Sequence, residues 1–144
     1  MNSADRESCQ FVSDSGLSLY FASARPGGAG ELDIYVSQRD SLQSEWGAAR
    51  NLEIVNTPDA DQLPFITPDG HTLIFASTRP SEGGGYNLYA SFRRNAGDDF
   101  AWDAPVPIED INSTGHDFAA WGFKDPSSGL ARALLFIRPA RRAG

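Results

Sequence analysis

The sequence is poor in the residues that mark disulfide-rich, zinc-binding or polyanion-binding proteins. Its 144 residues include one cysteine and two histidines, which permits neither an internal disulfide nor a multi-cysteine metal site. Lysine and arginine number 12 against 19 aspartate and glutamate, a net charge of −7 that disfavours nucleic-acid and anionic membrane surfaces. We therefore expect no metal site and no nucleic-acid partner.

Long hydrophobic runs are also missing. No window approaches the roughly 18 consecutive apolar residues that a membrane span requires, so membrane insertion is not expected. The N-terminus, Met1–Glu7, lacks the basic start and apolar run of a signal peptide. Apolar residues still make up 40% of the chain, which indicates a globular protein of about one domain's length.

An internal repeat is the main feature that is present. Leu19–Pro26 (LYFASARP) matches Leu73–Pro80 (LIFASTRP) at an offset of about 54 residues. Other pairs keep this offset, or one two residues longer: Gly16 with Gly70, Trp46 with Trp102, and Asn56 with Asn112. The repeat divides the chain into units 1–57, 58–113 and 114–144, the last a partial unit with a basic tail.

Each complete unit is predicted to form four β-strands, because short β-branched and aromatic runs are separated by Gly, Pro, Asp and Asn. The turn between its first two strands is clearest in Thr67-Pro68-Asp69-Gly70, where Pro presets one dihedral and Gly accepts a left-handed one. No helix is predicted. The expected strands are Ser8–Ser13, Ser18–Ser23, Leu32–Gln38, Ala49–Ile54, Gln62–Thr67, Thr72–Ser77, Tyr86–Phe92 and Pro105–Glu109.

Four antiparallel strands recurring at this spacing are typical of a β-propeller blade. The predicted fold is all-β: an incomplete propeller of two four-stranded antiparallel blades and a two-stranded partial third blade. Closed propellers have about 4–8 blades. We therefore expect a fragment of a larger propeller that self-associates through exposed blade edges and apolar faces.

The second unit carries a family resemblance. The string D-x-x-P-x-x-T-P-D-G-x-x-L-I-F-A-S-x-R-P over Asp61–Pro80, with G-G-Y-N-L-Y over Gly84–Tyr89, resembles the WD-like propeller repeat of the TolB type. The similarity covers about residues 2–123 and departs from the family pattern at Gln10, at Ser15 and after Trp121. It implies a bacterial cell-envelope or periplasmic location and a protein, peptide or glycan ligand.

Three acidic residues share one repeat position, immediately before each innermost strand: Glu7, Asp61 and Asp117. Carboxylates at a propeller mouth can act as the acid and base of a glycosidase or bind a ligand. A group recurring in every blade more often serves the blade, through backbone hydrogen bonds or an arginine. Arg25 and Arg79 also recur and present the same choice between a carboxylate ligand and a local partner.

These observations favour a non-catalytic scaffold for protein or ligand binding, with Glu7, Asp61, Asp117, Arg25 and Arg79 as binding candidates and no catalytic residue assigned. The glycine-rich loops lack the G-x-G-x-x-G pattern of a phosphate cradle, so no cofactor is expected. The alternative is part of a propeller enzyme, a glycosidase or the gate of a peptidase, whose catalytic residues lie outside this chain.

Overall fold

The computed structural model describes residues 7–80 and 85–108, which form two four-stranded antiparallel sheets and no helix. None of these residues therefore belongs to a helix able to cross a membrane. The first sheet contains β1 (Glu7–Val12), β2 (Ser18–Ser23), β3 (Asp33–Gln38) and β4 (Arg50–Asn51). The second contains β5 (Asp61–Ile66), β6 (Thr72–Ser77), β7 (Asn87–Phe92) and β8 (Val106–Pro107).

In both sheets, neighbouring strands are consecutive in the chain, and the pairing registers of the two sheets are equivalent. Ser18–Ser23 pairs with Asp33–Gln38 without interruption, and Thr72–Ser77 pairs with Asn87–Phe92 in the same way. The all-β prediction is confirmed, and β2 and β6 have the predicted bounds. Unit 114–144, including the expected two-stranded partial blade, lies outside the described residues.

The turns before β2 and β6 have the predicted backbone. Gly16 and Gly70 adopt φ values of 75° and 80°, in the left-handed region that favours glycine. The Gly16 N–H donates to the Ser13 carbonyl and the Gly70 N–H to the Thr67 carbonyl, each at 2.8 Å. Glycine at these positions closes both hairpins without steric strain.

The predicted fourth strands, Ala49–Ile54 and Pro105–Glu109, are too long. In the first sheet the chain turns after β4, where the Val55 N–H donates to the Leu52 carbonyl at 3.0 Å. The Asn56 side chain then pairs with Ile34: its Oδ1 accepts from the Ile34 N–H at 2.8 Å, and its Nδ2 donates to the Ile34 carbonyl at 2.9 Å. The Leu52 N–H still donates to the Ile34 carbonyl at 3.0 Å, and beyond it the Asn56 side-chain amide takes the place of backbone pairing, which a strand pattern cannot reveal.

A bulge interrupts the first strand of each sheet. The pairing of β1 with β2 shifts by one residue between Ser8 and Phe11, and that of β5 with β6 shifts between Gln62 and Phe65. The second bulge contains Leu63, with φ 58°, followed by Pro64. Pro64 has no N–H to donate, so a break in the ladder is where a strand tolerates it.

The core lies between the sheets, where one face of the first packs on one face of the second. It is formed by Tyr20, Ile34, Val36, Leu52 and Val55 from the first half and Ile66, Leu73, Phe75, Tyr89 and Trp102 from the second. Tyr20 of β2 and Phe75 of β6 are both fully buried. In the repeat, Phe75 is equivalent to Phe21, not to Tyr20. Tyr20 and Phe21 lie on opposite faces of β2, because successive side chains alternate along a strand. The first sheet therefore packs through one face and the second sheet through the non-equivalent face.

The expectation of exposed apolar faces is wrong for the centres of the middle strands, β2, β3, β6 and β7. Phe21 and Tyr35 on the far side of the first sheet, and Ile74 and Leu88 on that of the second, are all buried. The exposed large apolar side chains in the described part of the chain are Val12, Leu42, Ile54, Phe92 and Val106. Among the described residues, these side chains and the edge strands are the surfaces open to self-association.

Candidate functional site

Asp61 is buried at the start of β5 and is saturated by neighbours. One carboxylate oxygen accepts from the Thr57 N–H at 2.6 Å and from the Thr57 hydroxyl at 2.9 Å. The other accepts from the Ser77 hydroxyl at 2.5 Å and from Arg79 at 2.9 Å. The side chain is 0% exposed, so in this structure Asp61 ties β5 to the loop before it and to β6.

Arg79 is the cationic partner of Asp61. Its Nε donates to the Ser77 hydroxyl at 2.9 Å, and its Nη2 donates to the Val55 carbonyl at 2.6 Å as well as to Asp61. The guanidinium also lies 4.5 Å from the ring centre of Tyr89. Arg79 therefore connects the second sheet to the segment leaving the first, a structural role.

Arg25 has a similar position in the first sheet. Its Nε donates to the Ser23 hydroxyl at 3.0 Å, and its guanidinium lies 5.1 Å from the Phe21 ring and 5.0 Å from the Tyr35 ring. For Glu7 the structure describes the backbone, which pairs with Ser23. The Glu7 side chain and the whole of Asp117 lie outside the described residues.

Sequence reasoning missed a buried carboxylate, Asp99, in the loop between β7 and β8. Its Oδ2 accepts from the Ser18 hydroxyl at 2.5 Å and from Gln38 Nε2 at 2.6 Å. Its Oδ1 accepts from the Tyr20 hydroxyl at 2.6 Å and from Arg93 Nη1 at 3.2 Å. Three of the four donors belong to the first sheet, so Asp99 joins the two sheets.

The surroundings of Asp99 perturb two ionisable groups. Burial favours the neutral form of Asp99, but the four hydrogen bonds to its carboxylate outweigh burial and hold its pKa below the usual range. Burial, together with the adjacent Asp99 charge, raises the pKa of Tyr20 far above its usual range. Asp99 is therefore the ionised acceptor and Tyr20 the neutral donor across the physiological pH range.

The repeat marks the first-sheet donors to Asp99, though not Asp99 itself, as positions where the two units differ. The positions equivalent to Ser18, Tyr20 and Gln38 in the second unit are Thr72, Ile74 and Phe92. Only one of these three can donate a hydrogen bond. Residues that depart from a repeat mark a contact that one unit makes and the other does not.

A second missed feature is a pair of equivalent arginines, Arg39 and Arg93, each following the third strand of its sheet. Arg39 Nε donates to the Gly16 carbonyl at 2.8 Å, and its guanidinium lies 4.3 Å from the ring centre of Trp46. Arg93 Nε donates to the Gly70 carbonyl at 2.7 Å, and its guanidinium lies 4.2 Å from the ring centre of Trp102. Their spacing of about 54 residues was visible in the sequence.

These groups surround a cleft of about 440 Å³ between the two sheets. We call it the inter-sheet cleft and define it by Ser13, Ser15, Gln38, Arg39, Arg93 and Asp99. Arg93 and Asp99 are buried, whereas Gln38 and Ser15 are exposed. The cleft therefore combines a charged, internally paired floor with a polar rim open to solvent.

Within residues 7–80 and 85–108 the structure brings together no group of three or more His, Cys, Asp or Glu side chains able to hold a metal ion. Asp61 and Arg79 meet each other, but neither borders the inter-sheet cleft. In comparisons with protein-family models, curated proteins and solved structures, the chain matched none of them significantly, so the TolB-type resemblance stays a prediction.

Proposed function

We propose that the chain is a non-catalytic propeller scaffold, of the TolB type, that binds a protein, peptide or glycan ligand in the bacterial cell envelope. In this proposal the two described sheets are consecutive blades. Their shared strand order, register and bulge position support it, as does the packing of unlike faces, which allows further blades to stack in the same direction.

The observation that carries the non-catalytic part is the saturation of the buried carboxylates. Asp61 and Asp99 each accept four hydrogen bonds from the protein, which fills about all the acceptor sites of a carboxylate. Asp33, also buried, accepts from the N–H groups of Ala29 and Gly30 and from Asn51. A general acid or base must instead reach a substrate atom.

A catalytic role for Asp61 predicts substrate turnover by this chain, whereas the scaffold predicts ligand binding without turnover. We would incubate the purified full chain with chromogenic glycosides and peptide anilides, and in parallel follow its amide NMR spectrum with soluble oligosaccharides and short peptides. The expected result is saturable shifts from one ligand class and no product formation. Turnover that Asp61→Asn abolishes, and that Asp59→Asn at a half-buried neighbouring position preserves, would establish the enzyme instead.

A further inference from the structure

Arg39 is held in one orientation at the rim of the inter-sheet cleft. Its Nε is occupied by the Gly16 carbonyl at 2.8 Å, and one face of its guanidinium is covered by Trp46, 4.3 Å away. An arginine fixed by a hydrogen bond and a stacking contact loses little further side-chain entropy when it binds. Its remaining nitrogens are therefore pre-organised.

The equivalent Arg93 uses its terminal guanidinium nitrogen Nη1 to bind nearby acceptors. Its Nη1 donates to the Asp98 carbonyl at 2.7 Å and to the Asp99 carboxylate at 3.2 Å. In contrast, Nη1 and Nη2 of Arg39 have no hydrogen-bond acceptor among the residues that the structure describes. The same arrangement is charge-paired in one sheet and unpaired in the other.

The rest of the cleft does not neutralise Arg39. The carboxylate of Asp99 is already occupied by four donors, and the exposed carboxylate of Asp40 forms no ion pair with Arg39 in the described structure. The hydroxyls of Ser13 and Ser15 lie on the same cleft, 3.0 Å apart, and because one donates to the other, one hydroxyl proton remains for a further acceptor. Around the unpaired guanidinium of Arg39 the cleft thus holds one uncommitted hydroxyl donor and the exposed carboxylate of Asp40.

We propose that the inter-sheet cleft binds a carboxylate carried by a peptide, with Nη1 and Nη2 of Arg39 donating to its two oxygens and Ser13 or Ser15 adding a hydroxyl donor. Because Nε is engaged by Gly16, the carboxylate approaches the guanidinium end-on. This inference rests on the proposed scaffold function and specifies its site and ligand chemistry.

The test uses the ¹⁵N-labelled full chain and three probes: acetyl-glycyl-glycine, which has a terminal carboxylate, its C-terminal amide, and acetyl-aspartate amide, which has a side-chain carboxylate. We expect either carboxylate probe to saturate at millimolar concentration and to shift the resonances of residues 13–18 and 38–40. The amide of acetyl-glycyl-glycine should leave them unchanged. The two carboxylate probes show whether a chain terminus or a side chain is preferred.

Arg39→Lys keeps the charge but loses the two-pronged geometry, so carboxylate binding should weaken about tenfold, the effect of losing one charge-assisted hydrogen bond. The matched control is Arg94→Lys, an exposed residue outside the cleft, which should leave binding unchanged. If Arg39→Lys does not fold, salt provides the second measurement. Carboxylate binding to the unaltered chain should weaken steeply with ionic strength.

Equal binding of the amide and carboxylate probes at the cleft would overturn carboxylate recognition and leave the scaffold function standing. Shifts at another surface, or the same affinity in Arg39→Lys, would overturn the site. Failure of the scaffold function has a different signature, which is turnover of a substrate.

Discussion

Asp99 joins the two sheets through one carboxylate, and Asp99→Asn tests how much that contact contributes to stability. The substitution preserves side-chain size but removes the negative charge and replaces one acceptor oxygen with an amide donor. Arg93 would then keep its charge without its partner, in a pair whose side chains are 3% and 7% exposed. Breaking a buried ion pair by removing one member costs about 3–5 kcal/mol.

That cost is a large share of the 5–15 kcal/mol by which domains of this size are typically stable. We expect Asp99→Asn to lower the free energy of unfolding by about 3–5 kcal/mol, measured by urea denaturation of the full chain with tryptophan fluorescence. Asp98→Asn is the matched control, because Asp98 is exposed and its carboxylate accepts one hydrogen bond, from the Phe100 N–H at 3.0 Å. It should cost less than about 1 kcal/mol.

A double-mutant cycle isolates the contact between the sheets. Tyr20→Phe removes one donor to Asp99 and should cost about 1 kcal/mol alone, but much less in the Asp99→Asn background, where that bond is already weakened. Strict additivity of the two changes, or an Asp99→Asn variant within about 1 kcal/mol of the unaltered chain, would refute the network as a stabilising contact.

Three further outcomes are expected. Arg79→Ala should destabilise the chain by about 1–3 kcal/mol in urea denaturation, because it leaves the buried Asp61 without its cation; an unchanged midpoint would contradict the structural role. Gly70→Ala should cost about 1–2 kcal/mol, since φ is 80° and the added Cβ would lie 2.9 Å from Cβ of Ala96; its midpoint should fall. Because folding lowers the pKa of Asp99, its contribution to the free energy of unfolding is complete above the pKa of the unfolded state, near 4, and is lost as the pH falls through the lower pKa of the folded state. The free energy of unfolding of Asp99→Asn should therefore depend less on acid pH than that of the unaltered chain.

The sequence by itself determined the local architecture. Strands β2 and β6 have their predicted bounds because a short run of apolar and aromatic residues, a preceding turn that ends in glycine and a repeated eight-residue string all indicate the same structure there. Hairpin geometry also follows from neighbours in the chain, as Gly16 and Gly70 show. Asp61 and Arg79 were recognisable because their positions recur in the repeat, and Ser77, which contacts both side chains, lies in the same unit.

Only the tertiary structure decided which side chains meet across the sheets. Asp99 is separated from Ser18 by 81 residues and from Gln38 by 61, and no periodic pattern connects positions that distant. The end of β4 likewise depended on the Asn56 side chain reaching Ile34, 22 residues away. The different fates of Arg39 and Arg93 have the same origin: their local surroundings are alike, but the Asp99 loop crosses to the first sheet beside only one of them. Local propensity and repetition fix the strands and turns, whereas the pairing of buried charges depends on which face of one sheet packs against the next.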